Sequence, residues 1–358
     1  MGKNNKKILI TGGAGFVGTN TAIGLKEKHP DFEIISLDNL KRRGSELNIE
    51  RLRSKEIRFL QGDVRNYEDL LSVGDIDTII ECSAEPSVLA GYGESPRYLI
   101  NTNLTGAFNC LELARERKAD FVFISTSRVY PIDKVNQIDF IEDATRFSFS
   151  EEQDMRGLSA RGIGEGFSKE GVRTLYGASK LAAELLLEEY IFAYGVKGVI
   201  NRCGVIAGPW QMGKVDQGFV ALWVAAHHYK NNLKYIGFNG EGKQVRDILH
   251  VQDVVDLIDR EIEEINKVNG KIFNVGGGMN NSVSLNEMTS LCQNITGNTI
   301  DIGAEMDTRK GDIRVYITDN SKVHDSIGWE PKRTVNDIVS DTYKWISEND
   351  SALHSIFN

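Results

Sequence analysis

Six short runs of the chain are apolar almost without interruption: KKILIT (6–11), EIISLD (33–38), IRFLQGD (57–63), DTIIECS (77–83), DFVFIST (120–126) and VKGVINRC (196–203). Continuous apolar runs suit strands covered on both faces, whereas strict alternation suits a strand with one wet face. Helical spacing fills the intervals between them, notably at 15–29, 98–117 and 177–194. Strand–helix alternation of this kind predicts an α/β fold of the Rossmann type, a doubly wound parallel sheet with helices on both sides. A further run, KIFNVGG (271–277), follows helical spacing at 253–266 and is expected to rejoin that sheet. The sheet unit is therefore assigned to 1–203 plus 248–277, and a smaller C-terminal lobe to 204–247 plus 278–358.

Two segments break the pattern. Residues 131–173 are long, polar and without evident helical spacing, as expected of a lid-like insertion. They contain GIGEG (162–166), which no strand precedes and which reads as a flexible hinge rather than a phosphate loop. The helix at 177–194 is apolar nearly all round: Leu181, Leu185 and Phe192 on one stripe, Ala182, Leu186 and Ala193 on a second, Leu187, Ile191 and Tyr194 on a third. One sheet contact needs a single such face. The surplus predicts a second covered face, supplied by another subunit in a homodimer or higher homo-oligomer, or by a lobe of the same chain.

At 358 residues, 41% apolar and 26% charged, the chain has the make-up of an ordinary globular protein. No apolar stretch approaches the roughly 20 residues of a membrane span, and the start, MGKNNKKILITGG, reads as a strand rather than a leader. A net charge of −9 argues against a nucleic-acid partner. Cys82, Cys110, Cys203 and Cys292 stand far apart without a CxxC pair, which predicts free thiols and a cytoplasmic setting. The six His show no metal-ligand spacing, so no metal is expected.

The first apolar run enters TGGAGFVG (11–18), which opens a helix. Gly13, Gly15 and Gly18 satisfy GxGxxG, and Gly12, Gly15 and Gly18 the related TGxxGxxG. The chemistry needs a tight turn, a backbone able to touch a pyrophosphate, and a helix N-terminus whose free N–H groups hold the anion. Asp38 ends the second strand twenty residues after Gly18, where a carboxylate takes the hydroxyls of an adenosine ribose. It would repel a 2′-phosphate, which favours NAD over NADP, while Lys41, Arg42 and Arg43 offer charge to neutralise one. Asp63 and Val64 end the third strand where an adenine would lie, although an acid there equally suits a helix cap.

A bound nicotinamide gives a purpose to TLYGASKLA (174–182). Tyr176 and Lys180 are an i, i+4 pair on one helix face. A phenol with its usual pKa near 10 is a poor base at neutral pH. A neighbouring ammonium and a positive ring would lower that value. FVFISTSRVY places Ser125, Thr126 and Ser127 at the carboxyl edge of the fifth strand, where ligands of such sheets sit.

With these motifs in place, the chain resembles the extended short-chain dehydrogenases/reductases of the nucleotide-sugar epimerase kind from end to end. TGGAGFVG matches their glycine loop, YGASK their catalytic Tyr-x-x-x-Lys, and STSRVY their strand-five motif with Thr126 in the Ser/Thr role. NTNLTGAFN matches the segment whose asparagine, Asn103, orders the active site, and NRCGVIAGP (201–209) the block beside the nicotinamide. The blocks VDQGFVALW (215–223), GEGKQVRDILHVQDV (240–254), FNVGGGMNNSVSLNEM (273–288) and RKGDIRVYITDNSK (309–322) are most similar to the branch that inverts CDP-linked sugars at carbon 2. The resemblance implies NAD contacts from Gly12, Gly15, Phe16, Val17, Gly18, Asp38, Asn39, Asp63, Val64, Ser83, Ala84, Asn103, Ser125, Tyr176, Lys180 and Val205. It implies a nucleotide-diphosphate sugar substrate held by Ser87, Thr126, Ser127 and Gln217, with Arg246 and Arg309 on the diphosphate. Guanidinium forks suit phosphate oxygens. Pro131 and Ala207 depart from the family pattern, as does the gap of fifty positions between Thr126 and Tyr176.

Dehydratases of this superfamily usually carry Asp-Glu after the catalytic threonine, where this chain has Ser127-Arg128. The expected reaction is therefore epimerisation through a keto-sugar, with the hydride returned from retained NAD and Thr126, Tyr176 and Lys180 as the catalytic residues. A ketoreductase or 4-epimerase would use the same residues, and a non-catalytic dinucleotide sensor would need only the fold.

Overall fold

The computed structural model describes residues 5–150, 153–213 and 217–357. Its central sheet has seven strands: β1 (Lys7–Thr11), β2 (Glu33–Asp38), β3 (Arg58–Gln61), β4 (Thr78–Glu81), β5 (Asp120–Thr126), β6 (Gly198–Cys203) and β7 (Lys271–Val275). They lie in the order β7-β6-β5-β4-β1-β2-β3, and every pair is parallel. The winding reverses between β1 and β4, so the connections after these strands leave in opposite directions and open a crevice at their carboxyl ends.

Continuous apolar runs do what two-sided burial requires. Ile8, Ile10, Ile80, Val122 and Val199 pack on one face with Ala22 and Leu25 of α1 (Phe16–Lys28) and with the last major helix against the sheet, Val251–Glu263. Leu9, Ile35, Ile79, Phe121 and Phe123 pack on the other with α2 (Gly106–Arg117) and α3 (Leu175–Tyr194). The helix expected over 98–117 is interrupted: Arg97–Ile100 runs into a π-helical turn at Asn101–Thr105 before α2 begins. Such turns cluster at functional sites, and this one carries Asn103.

Val205–Ala207 follows β6 after one residue and starts a second layer on the carboxyl edge. It pairs with Val245–His250, which also takes Ser282–Ser284 and Val315–Tyr316. Helices Phe219–Tyr229, Leu285–Thr296 and Val335–Glu348 cover this layer around Trp223, Met288, Ile338 and Trp345. Val215 and Asp216, which begin one of the family-like blocks, lie outside the described residues.

The polar stretch 131–173 carries more structure than its spacing shows: a helix at Ile132–Asn136 and two hairpins, Phe140–Glu142 with Phe147–Phe149 and Leu158–Ser159 with Gly162–Ile163. GIGEG is pinned rather than a free hinge. The Ile163 amide donates to Ile317 O at 2.8 Å, and the Asn274 amide donates to Glu165 Oε1 at 2.7 Å. Ile163 and Phe167 are buried against Tyr130 and Tyr316.

One buried acid loads the sheet. Asn201 of β6 donates to Glu261 Oε2 at 2.8 Å, while Oε1 has no partner. Burial pushes the Glu261 pKa from 4.5 up to about 8. Between those values the unfolded chain ionises while the folded one stays protonated, so this group costs stability as pH rises. Glu261→Gln is expected to stabilise the protein by about 3 kcal/mol near neutral pH. The gain should vanish below the ordinary glutamate pKa, as urea unfolding across pH would show.

Candidate active site

The glycine loop bends back on the carboxyl edge of the sheet. Gly12 has φ +63°, and a Cβ there would lie 2.8 Å from Cys82 O; a Cβ on Gly18 would collide with Gly12 O. Only glycine permits this approach. Gly15 caps α1 without a side-chain hydrogen bond, which leaves the first amides of the helix for an anion. Beside the loop is a cavity of ≈ 520 Å³ lined by Gly12, Gly15, Phe16, Val17, Gly18, Asp38, Asn39, Val64, Ser83 and Ala84. Asp38 accepts from the amides of Ala14 (3.1 Å) and Leu40 (2.8 Å), which aim its carboxylate while leaving lone pairs for ribose hydroxyls. Burial raises the Asp38 pKa against the pull of those amides.

The basic residues beyond Asp38 also line this cavity, and each makes a second contact. Arg42 donates to Met212 O at 2.6 Å, Arg43 donates to Ser355 O at 2.5 Å, and Lys41 lies over the Tyr98 ring. Asp63 is also occupied: Arg65 grips it with two bonds of 2.9 and 2.6 Å, Asn39 donates to it at 2.9 Å, and its pKa falls to about 2, chiefly through Arg65. Its side chain does not line the cavity, whereas Val64 does.

A second cavity of ≈ 590 Å³ adjoins the first, sharing Phe16, Val17, Cys82 and Ala84 with it. Thr126, Ser127, Tyr176, Lys180, Val205, Gln217, Arg246 and Arg309 all line it. Thr174 caps α3 by accepting from the Gly177 amide at 3.2 Å, which sets Tyr176 in the first turn facing the end of β5. Asn103 clamps the 84–87 loop from below: Oδ1 accepts from the Glu85 amide at 2.7 Å, and Nδ2 donates to Ser179 Oγ at 3.1 Å. It reaches the site through this loop and does not itself line either cavity.

Three further expectations need a finer account. Ser125 lines the larger cavity, but its hydroxyl is taken by Glu184 Oε1, to which it donates at 2.5 Å. Ser87 lines a separate recess of ≈ 190 Å³ with Glu85, Tyr98 and Leu99. The third difference is electrostatic. The Lys180 ammonium lies 3.3 Å from Glu81 Oε2, at side-chain exposures of 3% and 1%. The net effect on Tyr176 is a raised pKa: burial dominates, Lys180 and a hydrogen bond with Thr126 pull it down, Cys203 pushes it up, and Arg128 pulls it down. Protein charge alone does not depress the phenol as the spacing predicts.

Glu81 and Arg128 are the functional neighbours that motif matching passes over. Glu81 is the one charge within the strand Thr78–Glu81, and that contrast with its apolar neighbours is its sequence signal. Among the described residues, one His/Asp/Glu group, His29, Asp259 and Glu263, brings its ligand atoms within 4.8 Å. It sits at the end of α1 far from the glycine loop, with Lys28 3.0 Å from Asp259.

Residues 8–276 match the NAD dependent epimerase/dehydratase family. The chain belongs to that family. It is 30% identical over 350 residues to CDP-paratose 2-epimerase from Salmonella typhi, covering 95% of this chain and 99% of the relative. Among solved structures it resembles Pal from Bacillus thuringiensis, with a TM-score of 0.77 at 26% identity, over 96% of this chain and 99% of that one. It also resembles dTDP-glucose 4,6-dehydratase from Bacillus anthracis in complex with NAD, with a TM-score of 0.75 at 25% identity, over 98% and 99% of the two chains. The glycine cradle, the free amides of α1 and the carboxylate of Asp38 fit the pyrophosphate and ribose of the cofactor that gives the family its name.

Asp38→Asn should weaken NAD binding about tenfold, since it removes charge-assisted hydrogen bonds. It should weaken NADP binding less, narrowing the preference between the two. Fluorescence titration with both cofactors measures each change.

Proposed function

We propose that the chain is a nucleotide-sugar epimerase acting on a CDP-linked deoxyhexose, inverting the carbon through a transient keto-sugar. The observation that carries this reading is the convergence of Thr126, Tyr176 and Lys180 on the larger cavity, which adjoins the glycine-loop cavity, with Ser127 and Arg128 in place of an acid pair. When bound, NAD takes a hydride from the sugar and returns it. Tyr176 takes the hydroxyl proton, and Thr126 bonds the same oxygen as charge develops on it. Lys180 orients the cofactor ribose. Arg246 donates to the carbonyls of Val245 (2.7 Å) and Ile313 (2.8 Å) and has no carboxylate partner among the described residues, so its charge is available to a diphosphate. The CDP-paratose 2-epimerase relative supports the choice of base and carbon.

The purified protein is expected to carry NAD and to turn over CDP-paratose with none added. Ring-proton NMR in heavy water should show the inverted carbon unlabelled, and Tyr176→Phe should lower the rate by about 10²–10⁴-fold. Solvent deuterium at that carbon, or stoichiometric use of NADPH, would replace this reading by an enolising isomerase or a ketoreductase. Inversion at carbon 4 of a UDP-sugar would move it to the 4-epimerases.

The assembly we favour is a homodimer in a reducing, cytosolic compartment. The four thiols are free, and no helix among the described residues is long and apolar enough to cross a membrane. Phe192 is 89% exposed and Leu185 56% exposed on one stripe of α3, and Phe108 on the adjoining α2 is 42% exposed. Large apolar side chains gathered this way mark an association surface. Phe192→Glu is expected to convert the dimer to monomer in light scattering at micromolar concentration.

A further inference from the structure

Arg128 sits between the catalytic groups without being one of the expected set. It lies in the single turn that follows β5, Ser127–Val129, and its amide donates to Thr126 Oγ1 at 3.2 Å. A Cβ at Gly177 would collide with its carbonyl oxygen, so the first turn of α3, which carries Tyr176, rests on the Arg128 backbone. Its side chain lines the larger cavity, and Nη1 donates to Gly311 O at 2.9 Å. That is its only hydrogen bond to a described residue from the guanidinium, and no carboxylate among those residues pairs with it.

The two cations near Tyr176 therefore differ. Lys180 is paired with Glu81, whose own pKa burial raises, and it is the stronger of the two in drawing the phenol pKa down. Arg128 is unmatched, with only Asp312 as an opposing charge at longer range and Arg246 as a like charge. We propose that Arg128 is a catalytic residue: its guanidinium hydrogen-bonds the sugar beside the reacting carbon and adds a second positive charge to that of Lys180 in favour of the Tyr176 phenolate. A guanidinium neither accepts nor delivers a proton near neutral pH. It stabilises negative oxygen on the keto-sugar without removing a proton from the neighbouring carbon or expelling water, which the acid pair of a dehydratase does at the same two positions.

The groups facing Tyr176 are Lys180 on its own helix, Thr126 on β5, Cys203 on β6 and Arg128, with Glu81 of β4 acting through Lys180. Of these, Arg128 is the cation that no carboxylate among the described residues pairs with. The test is a titration of NAD-loaded protein carrying ¹³C-tyrosine, with the Tyr176 signal assigned by Tyr176→Phe. Arg128→Gln should raise the Tyr176 midpoint by about one pH unit or more, while Arg128→Lys should leave it within a few tenths of wild type. An unshifted midpoint in Arg128→Gln overturns the electrostatic role. The sugar contact is read separately, by calorimetry with CDP and with CDP-paratose. Both variants should bind CDP as wild type does and bind CDP-paratose about tenfold more weakly, because an ammonium lacks the planar fork. Wild-type affinity for CDP-paratose in Arg128→Lys overturns the contact. Only this second arm rests on the proposed substrate. A protein that bound no CDP-sugar would sink the substrate reading and leave the tyrosine titration to decide the rest, and retention of NAD confirms that each variant is folded.

Discussion

One face of α3 is polar and buried, and the active site depends on it. Tyr176, Lys180 and Glu184 follow at intervals of four and so share that face. Lys180 reaches Glu81 on β4, and Glu184 receives Arg202 of β6 through three bonds of 3.1, 3.0 and 2.6 Å. Glu184 also accepts from Ser125 on β5, and Arg202 donates to Tyr130 at 3.3 Å, whose hydroxyl in turn donates to Asn274 of β7 at 2.8 Å. The helix is thus tied to four adjacent strands by charges that water does not reach. Leaving a buried charge without its partner costs several kcal/mol. Rotation of α3 by even one residue would strand both pairs, so the direction of the Tyr176 phenol is fixed by groups one and two turns away.

The same arrangement divides the work of positive charge. A protein of net charge −9 must concentrate cations where anionic ligands sit. Lys180 is paired with Glu81, whose own pKa burial raises, and serves as a placed hydrogen-bond donor as well as a charge beside the phenol. Arg246 is held by carbonyl oxygens, which fix its fork without cancelling its charge. Burial then lowers its pKa to about 9, a measure of how far the pocket favours an anion beside it. Structural and ligand-directed cations are told apart here by what neutralises them inside the protein.

Much of this was legible in the sequence, and the boundary has a physical cause. Runs such as EIISLD and DFVFIST become β2 and β5 without adjustment, because burial on two faces leaves a signal in every residue. The glycine loop was legible because sterics allow nothing else at Gly12 and Gly18. The partner of the Ser125 hydroxyl and the separate recess of Ser87 were not legible, because a motif gives a position along the chain but not the side to which a hydroxyl turns. The apolar stripes of α3 drew attention to its outer surface and hid the polar stripe that matters more. Glu81 and Arg128 pair with Lys180 and Gly311, 99 and 183 positions away, and no local window contains both members of such a pair.

Long-range pairing also holds the insertion at 131–173 in place. Asn136 accepts from the Arg314 amide at 3.0 Å and donates to Asp312 O at 3.1 Å, while Arg146 reaches Ser282 at 2.7 Å and Glu287 at 3.4 Å. Ile313 and Tyr316 are buried against its apolar residues. The segment from Arg309 to Tyr316, which carries Arg309 and Asp312 to the cavity wall, is therefore braced by the insertion as well as by the second layer of strands. A polar composition here reflects many specific hydrogen bonds rather than a lack of structure. The wide spacing between Thr126 and Tyr176 is the length of chain needed to leave β5, secure the substrate wall and return to begin α3.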